Sequence, residues 1–222
     1  AQILEWHIEQ GTDSIVVCGT TGEATTLSDE EQKEVIRFTV EKVNKRIPVI
    51  AGTGSNCTAH AIEISKYAEK VGADAALVST PYYNKSTQKG LIAPFTAIAN
   101  EITIPIGVYN VPGRTGVNIL PSTLAERAKL PNIKGVKEAS GNIAQIAEIA
   151  RLVPEDFYNY SGNDDMIVPL LSLKGDGVIS VVANIAQRDT HNLVQKFIDG
   201  DLKGSCELQL QMKRVIDSLL IE

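Results

Sequence analysis

The sequence contains few of the features that indicate a membrane, a secreted or a nucleic-acid-binding protein. No apolar run reaches the roughly 18 residues that a transmembrane helix needs. The formal net charge of the 222 residues is −6, whereas a nucleic-acid-binding face requires an excess of lysine and arginine. No signal peptide is recognisable. We therefore expect a cytoplasmic protein with no membrane and no nucleic-acid partner.

Cysteine and histidine are scarce, and neither residue occurs at the spacing of a metal site. The three cysteines are an odd number, widely spaced and without a Cys-x-x-Cys pair, which is typical of reduced thiols rather than of disulfides or zinc ligands. The histidines, His7, His60 and His191, are scattered over predicted helices and form no HxH or HExxH pattern. We therefore expect no metal.

A short β-branched run followed by an amphipathic helical stretch repeats along the chain. Helix-start signals lie between the runs, including Ser28 with Glu31 as a capping box and Asn142 before another periodic stretch. This alternation predicts right-handed βαβ units and a parallel sheet within one domain, residues 1–222. The seven predicted strands are residues 14–18, 47–51, 75–79, 104–109, 133–137, 157–161 and 177–182.

Seven strands fit either an open doubly wound sheet or a TIM (β/α)8 barrel that is one strand short. A closed barrel has eight strands and about 250 residues. Residues 3–11 have the pattern of a helix end whose preceding strand is absent. We therefore interpret the chain as an α/β TIM barrel without its first strand, a state that would expose strand edges.

Polar residues concentrate directly after the predicted strands, at residues 19–23, 52–56, 80–84, 109–114, 137–141 and 161–165. In parallel α/β folds ligands bind at this edge. Residues 52–54, Gly-Thr-Gly, resemble the start of a dinucleotide fingerprint. Cys57 stands where the third glycine would be, however, and no acidic ribose partner follows, which argues against a dinucleotide.

Three of these strand-end residues suggest carbonyl chemistry. Lys137 ends an apolar strand, so burial would lower its pKa and leave a neutral amine able to attack a carbonyl. Tyr109 could move protons, and the guanidinium of Arg114 could hold a carboxylate. The alternatives are a surface lysine, a half-buried structural tyrosine and a solvated loop arginine. The Gly19–Gly22 turn offers amides and hydroxyls to an anionic group, or is an ordinary strand–helix turn.

Three motifs resemble the dihydrodipicolinate synthase family of the N-acetylneuraminate lyase superfamily: GTTGEATTL at 19–27, YNVPGRTG at 109–116 and GVKEASG at 135–141. The resemblance extends over the whole chain. It implies a lyase that condenses pyruvate with L-aspartate 4-semialdehyde to 4-hydroxy-tetrahydrodipicolinate, in diaminopimelate and lysine biosynthesis. It also implies no cofactor beyond pyruvate held as an imine, and a homotetramer built as a dimer of dimers.

The resemblance assigns the proton chemistry to four residues. Lys137 would form the imine with pyruvate. Tyr109, Thr20 and Tyr83 would form a proton relay. Tyr83 would enter the site of the neighbouring subunit, which makes the dimer part of the catalyst.

The same resemblance assigns substrate binding to four further residues. Thr21 would contact the pyruvate carboxylate, and Arg114 would hold the carboxylate of the incoming aldehyde. Gly162 and Ile179 would make backbone contacts near the bound substrates.

The family's lysine feedback site is altered in this sequence. Asn56 and Tyr82 match its pattern, whereas Asp29, Gln32 and His60 replace the two histidines and the glutamate of lysine-sensitive members. We therefore predict weak or absent inhibition by lysine.

The chain also departs from the family at its ends, where the first strand and a C-terminal helical extension are expected to be missing. Two alternatives to the synthase remain at this point. One is another pyruvate-dependent aldolase such as N-acetylneuraminate lyase. The other is a catalytically silent, truncated barrel.

Overall fold

The computed structural model describes residues 1–219 and 221, which form one curled, fully parallel sheet with helices on its outside. The strand order follows the chain order from β1 to β7. All seven predicted strands are present, which confirms the barrel-type α/β fold. The strands are β1 Ile15–Val17, β2 Val49–Gly52, β3 Ala75–Ser79, β4 Ile106–Asn110, β5 Ile133–Glu138, β6 Tyr158–Ser161 and β7 Gly177–Val178.

Ten helices connect and cover the strands of the described chain. None of these helices is both long enough and apolar enough to cross a membrane. Their bounds are α1 Gln2–Glu9, α2 Asp29–Val43, α3 Thr58–Val71, α4 Gln88–Glu101, α5 Pro112–Thr115, α6 Pro121–Arg127, α7 Ile143–Leu152, α8 Ile167–Leu171, α9 Ala183–Ile198 and α10 Leu202–Ser218. Short 3₁₀ turns occupy Ala24–Thr26 and Asp164–Met166.

The predicted helix-start signals are confirmed by direct contacts. The amide of Glu31 donates to Ser28 Oγ at 3.2 Å, and the amide of Ser28 donates back to Glu31 Oε2 at 2.9 Å. Together these bonds satisfy two donors that the first turn of α2 would otherwise leave unpaired. Asn142 caps α7 in the same way, accepting from the Gln145 amide at 3.1 Å.

Strand alternation divides the apolar side chains into an outer layer and a barrel interior. Val108 and Val136 pack outward in a cluster with Phe95 of α4 and other helix residues. Tyr109 faces inward in a smaller cluster with Leu77. Because side chains alternate along a strand, the residues next to Val136 and Val108 face the barrel interior.

The sheet remains open between its two edge strands, β1 and β7. A cavity of about 410 Å³ lies between these edges, lined by residues of α1, β7 and α9 together with residues 12–16. The expectation of a barrel with one strand fewer than a closed one is therefore met by the seven-stranded arrangement.

The last strand is shorter than the predicted run of residues 177–182. It ends at Val178, because a buried carboxylate captures the amides beyond it. Both the Val181 and the Val182 amide donate to Asp164 Oδ2 at 3.0 Å. These contacts turn the chain out of the sheet and into α9.

Candidate active site

The ends of β4 and β5 bring the two central residues together. Tyr109 and Lys137 are directly paired in the parallel register, and Lys137 is also paired with Tyr160 of β6. Lys137 Nζ lies 4.3 Å from the centroid of the Tyr109 ring. The aromatic face therefore forms one wall around the amine.

Lys137 is buried, with 9% of its surface exposed. Burial lowers the pKa of its amine from 10.5 to about 8, while the negative charge of Asp164 opposes this and the positive charge of Arg114 reinforces it. The sequence-based expectation of a strand-end lysine with a lowered pKa thus agrees with the geometry. The alternative of a surface lysine does not.

Tyr109 is also buried, with 7% exposure. Burial raises the pKa of its phenol, whereas an interaction with the Thr20 side chain and the positive charge of Arg114 lower it. The phenol therefore stays protonated at neutral pH and can act as a proton donor. The Thr20 hydroxyl, which interacts with the phenol, is a partner for exchanging that proton.

A cavity of about 670 Å³ opens at the carboxyl ends of β1 to β4. It is lined by four residues expected from the sequence: Thr20, Tyr83, Tyr109 and Arg114. The volume is in the range of pockets that hold small organic ligands. These four residues thus converge on one opening, whereas Lys137, Thr21, Gly162 and Ile179 do not line it.

Lys137 borders a second cavity, inside the barrel, of about 390 Å³. Ile179 and Tyr160 line it as well, and Leu77 borders both cavities. Lys137 therefore lines a cavity separate from the 670 Å³ opening, which its neighbour Tyr109 lines.

The expected anion-binding turn offers fewer free amides than its sequence suggests. The Gly22 amide donates to Gly19 O at 3.1 Å, and the Glu23 amide donates to Thr20 O at 3.0 Å. Thr20 and Thr21 are both exposed on this turn. A carboxylate would therefore be met by the threonine hydroxyls and by the remaining amides of the turn, not by those of Gly22 and Glu23.

The amides of Gly162 and Ile179 are likewise engaged with neighbouring strands. Gly162 donates to Glu138 O at 2.8 Å, and Ile179 donates to Ser161 O at 2.9 Å. A side chain at position 162 would begin 3.1 Å from Lys137 Cε, so glycine there leaves room for the lysine stem. Contacts of these two residues with a ligand would use their carbonyl groups or van der Waals surface.

Asp164 has a structural role that its place in the polar segment after β6 did not indicate. Asp164 is buried, and one carboxylate oxygen holds the two amides at the start of α9. The other oxygen, Oδ1, is buried and makes no hydrogen bond within the described residues. Its position after β6 was the only signal in the sequence.

The Gly-Thr-Gly segment that begins with the last residue of β2 serves chain packing. A Cβ on Gly52 would lie 2.0 Å from the carbonyl oxygen of Cys18, at the end of β1. Only glycine permits this approach of the two strand ends. This contact gives a physical reason for setting the dinucleotide hypothesis aside.

The residues of the altered feedback site lie between α2 and α3 and bond to one another or to the backbone. Gln32 is buried and donates from Nε2 to Gly52 O at 3.0 Å. His60 Nε2 lies 2.9 Å from Asp29 Oδ1. Within residues 1–219 and 221, no group of three or more His, Cys, Asp or Glu side chains is arranged to hold a metal ion.

The sequence pattern of the dihydrodipicolinate synthetase family matches residues 1–222. The 4-hydroxy-tetrahydrodipicolinate synthase of Acetivibrio thermocellus is 58% identical over 221 residues, covering all of this chain and 75% of that protein. A pyruvate complex of dihydrodipicolinate synthase from Acinetobacter baumannii is 45% identical with a TM-score of 0.97. A monomeric variant of such a synthase is 41% identical, also at 0.97. Both structural matches cover all of this chain. They extend over 76% of the Acinetobacter baumannii chain and 75% of the monomeric variant.

Proposed function

The chain belongs to the dihydrodipicolinate synthetase family, and we propose on that premise that Lys137 is the amine through which it acts. The reaction is the condensation of pyruvate with L-aspartate 4-semialdehyde to 4-hydroxy-tetrahydrodipicolinate, a step of diaminopimelate and lysine biosynthesis. The enzyme is a lyase with a Schiff-base mechanism of the class I aldolase type.

The burial of Lys137 beside the Tyr109 ring, at the carboxyl ends of paired strands, is the observation that carries the assignment. With a pKa of about 8, roughly a tenth of the amines are neutral at pH 7, against fewer than about one in a thousand for an ordinary lysine. The neutral amine adds to the ketone carbon of pyruvate, and the carbinolamine loses water to give an iminium. Loss of a methyl proton then gives an enamine, whose carbon attacks the aldehyde.

Tyr109, Thr20 and Tyr83 form the proton relay in this proposal. Tyr109 is the member nearest Lys137, and its protonated phenol can deliver a proton to the departing hydroxyl of the carbinolamine. Tyr83 lies at the outer rim of the same opening, with 89% of its surface exposed. We assign its phenol to the site of an adjacent subunit.

Four residues bind the substrates in this proposal. Thr21 contacts the pyruvate carboxylate through its hydroxyl. Arg114 holds the carboxylate of the aldehyde with two N–H donors of its charged guanidinium. Gly162 and Ile179 face the bound substrates from the ends of β6 and β7. The positive charge of Arg114 also favours the neutral form of Lys137.

We further propose that the enzyme works in the cytoplasm as a homotetramer, a dimer of dimers, without a metal or a dissociable cofactor. Support for the dimer comes from the exposure of Tyr83 and from the family. The imine with pyruvate supplies the electron sink that a cofactor would otherwise provide.

Reduction with borohydride tests the proposal. The protein is incubated with pyruvate, reduced with sodium borohydride and digested. The mass of the peptide that contains Lys137 is then measured by mass spectrometry. We expect one reduced pyruvate on Lys137 and none on Lys134 of the same strand, whose side chain is solvent-exposed and paired with Asp156. Absence of the adduct would show a catalytically silent barrel.

The acceptor is tested separately, in an assay with L-aspartate 4-semialdehyde or N-acetylmannosamine as the aldehyde. We expect turnover with the first only. Turnover with the sugar instead would identify an N-acetylneuraminate lyase.

A further inference from the structure

A buried polar network lies behind the catalytic strand ends, on the face of the sheet opposite Lys137 and Tyr109. It consists of Glu138, Asn110, Asn118 and Gln145. The proposed function uses none of these side chains. The inference drawn from them rests on that proposed function, since it concerns the placement of the amine and the phenol.

Glu138 is the centre of the network and is only 2% exposed. Its Oε1 accepts from the Ser140 amide at 2.7 Å, and its Oε2 accepts from Asn110 Nδ2 at 2.9 Å and Gln145 Nε2 at 3.3 Å. No lysine or arginine of the described chain forms an ion pair with it. The carboxylate is therefore held by uncharged N–H donors alone. Each of these donors requires a hydrogen-bond acceptor at the position of the Glu138 carboxylate.

Asn110 links this carboxylate to the neighbouring strand and to the segment after α5. Its Oδ1 accepts from the Ile119 amide at 3.0 Å, and its Nδ2 donates to Asn118 Oδ1 at 2.8 Å as well as to Glu138. Asn118 and Gln145 exchange two further bonds, at 2.8 and 3.0 Å. Four parts of the chain, β4, β5, residues 118–119 and α7, are thereby joined.

The register places this network directly behind the reacting groups. Asn110 is paired with Glu138, one step after the pair of Tyr109 and Lys137. Because side chains alternate, a shift of the Glu138 backbone also moves the Lys137 Cα and tilts its stem. The same holds for Asn110 and Tyr109.

We propose that Glu138 is a positioning residue, which acts through Asn110, Asn118 and Gln145 to fix the amine of Lys137 relative to the phenol of Tyr109. The surrounding sheet–helix interface is apolar, as Val108 and Val136 on the same faces show. Strand–helix packing alone does not require a charge there, and a buried carboxylate is costly unless every lone pair is used. The network therefore specifies geometry at the end of the two strands.

Glu138→Gln tests the proposal with little change of volume. The amide places a donor where Glu138 now only accepts, so at least one of its three donors loses its partner. We expect kcat to fall about tenfold to a hundredfold while KM for the aldehyde, held by Arg114, stays near the wild-type value. We also expect the pH profile of borohydride trapping to move upward, because a displaced Lys137 is better hydrated and its pKa returns toward 10.5.

Asn132→Ala is the matched control at the opposite end of β5. Asn132 Nδ2 donates to the carbonyl groups of Ala99 and Ile102, both at 2.9 Å. Its loss removes side-chain hydrogen bonds directly before the same strand, at the end away from the amine. We expect a lower melting temperature with the wild-type kcat and trapping profile.

The outcomes separate this proposal from the proposed function. If folded Glu138→Gln keeps the wild-type kcat and trapping profile, or if Asn132→Ala changes both equally, the positioning role is overturned. If Glu138→Gln does not fold, Asn118→Ala, which removes a half-buried member of the network, decides by the same two measurements. A wild-type protein that traps no pyruvate would overturn the proposed function as well.

Discussion

At Lys137, burial and a nearby carboxylate act on the amine in opposite directions. Burial has the larger effect, so the pKa falls to about 8, and the charge of Asp164 keeps it from falling further. An amine with this pKa is nucleophilic near neutral pH and still basic enough to give a protonated imine. The balance favours imine formation and costs folding stability.

Lys137→Met exposes that cost. At about 1.4 kcal/mol per pKa unit, a folded-state pKa of about 8 instead of 10.5 destabilises the wild type by roughly 3 kcal/mol at neutral pH. The unfolded chain binds the proton more tightly, so this penalty is fully present below about pH 8 and disappears as pH rises toward 10.5. We expect Lys137→Met to be inactive but about 1–3 kcal/mol more stable at pH 7, by urea unfolding.

The matched control is Lys134→Met, the same change near the start of β5, where the side chain is solvent-exposed. Lys134 is solvent-exposed and paired with Asp156, so its replacement should give no gain at pH 7. Equal stability of Lys137→Met and wild type at pH 7 would contradict the prediction. A gain in the stability of Lys137→Met that is as large near pH 10.5 as at pH 7 would also contradict it.

At the scale of the elements, the strands and helix starts could be predicted because they depend on local patterns. Short apolar or aromatic runs, most of them β-branched, indicate β1 to β7, and the side chains of Ser28 and Asn142 fix where α2 and α7 begin. The end of β7 could not be predicted. It depends on Asp164, which is distant in sequence and reaches the amides of residues 181 and 182 only in the folded chain.

The candidate site shows the same division. Lys137, Tyr109 and Arg114 could be chosen because polar residues at the carboxyl ends of parallel strands meet at one edge. Glu138 and Asn110 stand beside two of them in the same motifs. Their role was not visible, because it depends on cross-strand register and on contacts with α7.

The pair of helices α2 and α3 carries the prediction on feedback control. A bound lysine would need an acidic partner for its ammonium groups, but the Asp29 carboxylate already contacts His60. Gln32 is buried and donates to the backbone of β2. We expect weak or no inhibition of the synthase reaction by lysine, measured by initial rates over a lysine titration. Strong inhibition at millimolar lysine would show that these side chains rearrange to bind it.

At the scale of the whole molecule, the curl of the sheet brings the strand ends to one rim while its two edges stay apart. The residues assigned to chemistry come from β1, β3, β4 and β5 or from the loops directly after them. The open gap lies between β1 and β7, next to Ile179. The rim is therefore assembled mainly by strands that are paired on both sides.

Tyr83 is the member of the proposed relay that this chain alone does not bury. The residue is 89% exposed, and its backbone has φ of +78°, a conformation that is unusual for a bulky residue. Strain of this kind persists where the surroundings or the function require it. An exposed phenol held in such a turn suits insertion into a second copy of the chain.

Mixing two defective variants tests whether Tyr83 acts across a subunit interface. Lys137→Ala lacks the amine but retains Tyr83, and Tyr83→Phe retains the amine but lacks the relay phenol. If the phenol acts in the partner's site, a mixed dimer contains one complete site, so random exchange of equal amounts should restore about a quarter of the wild-type activity. Each variant alone should stay far below that level. If size-exclusion chromatography with light scattering shows mixed dimers and no activity returns, Tyr83 acts within its own subunit or not at all.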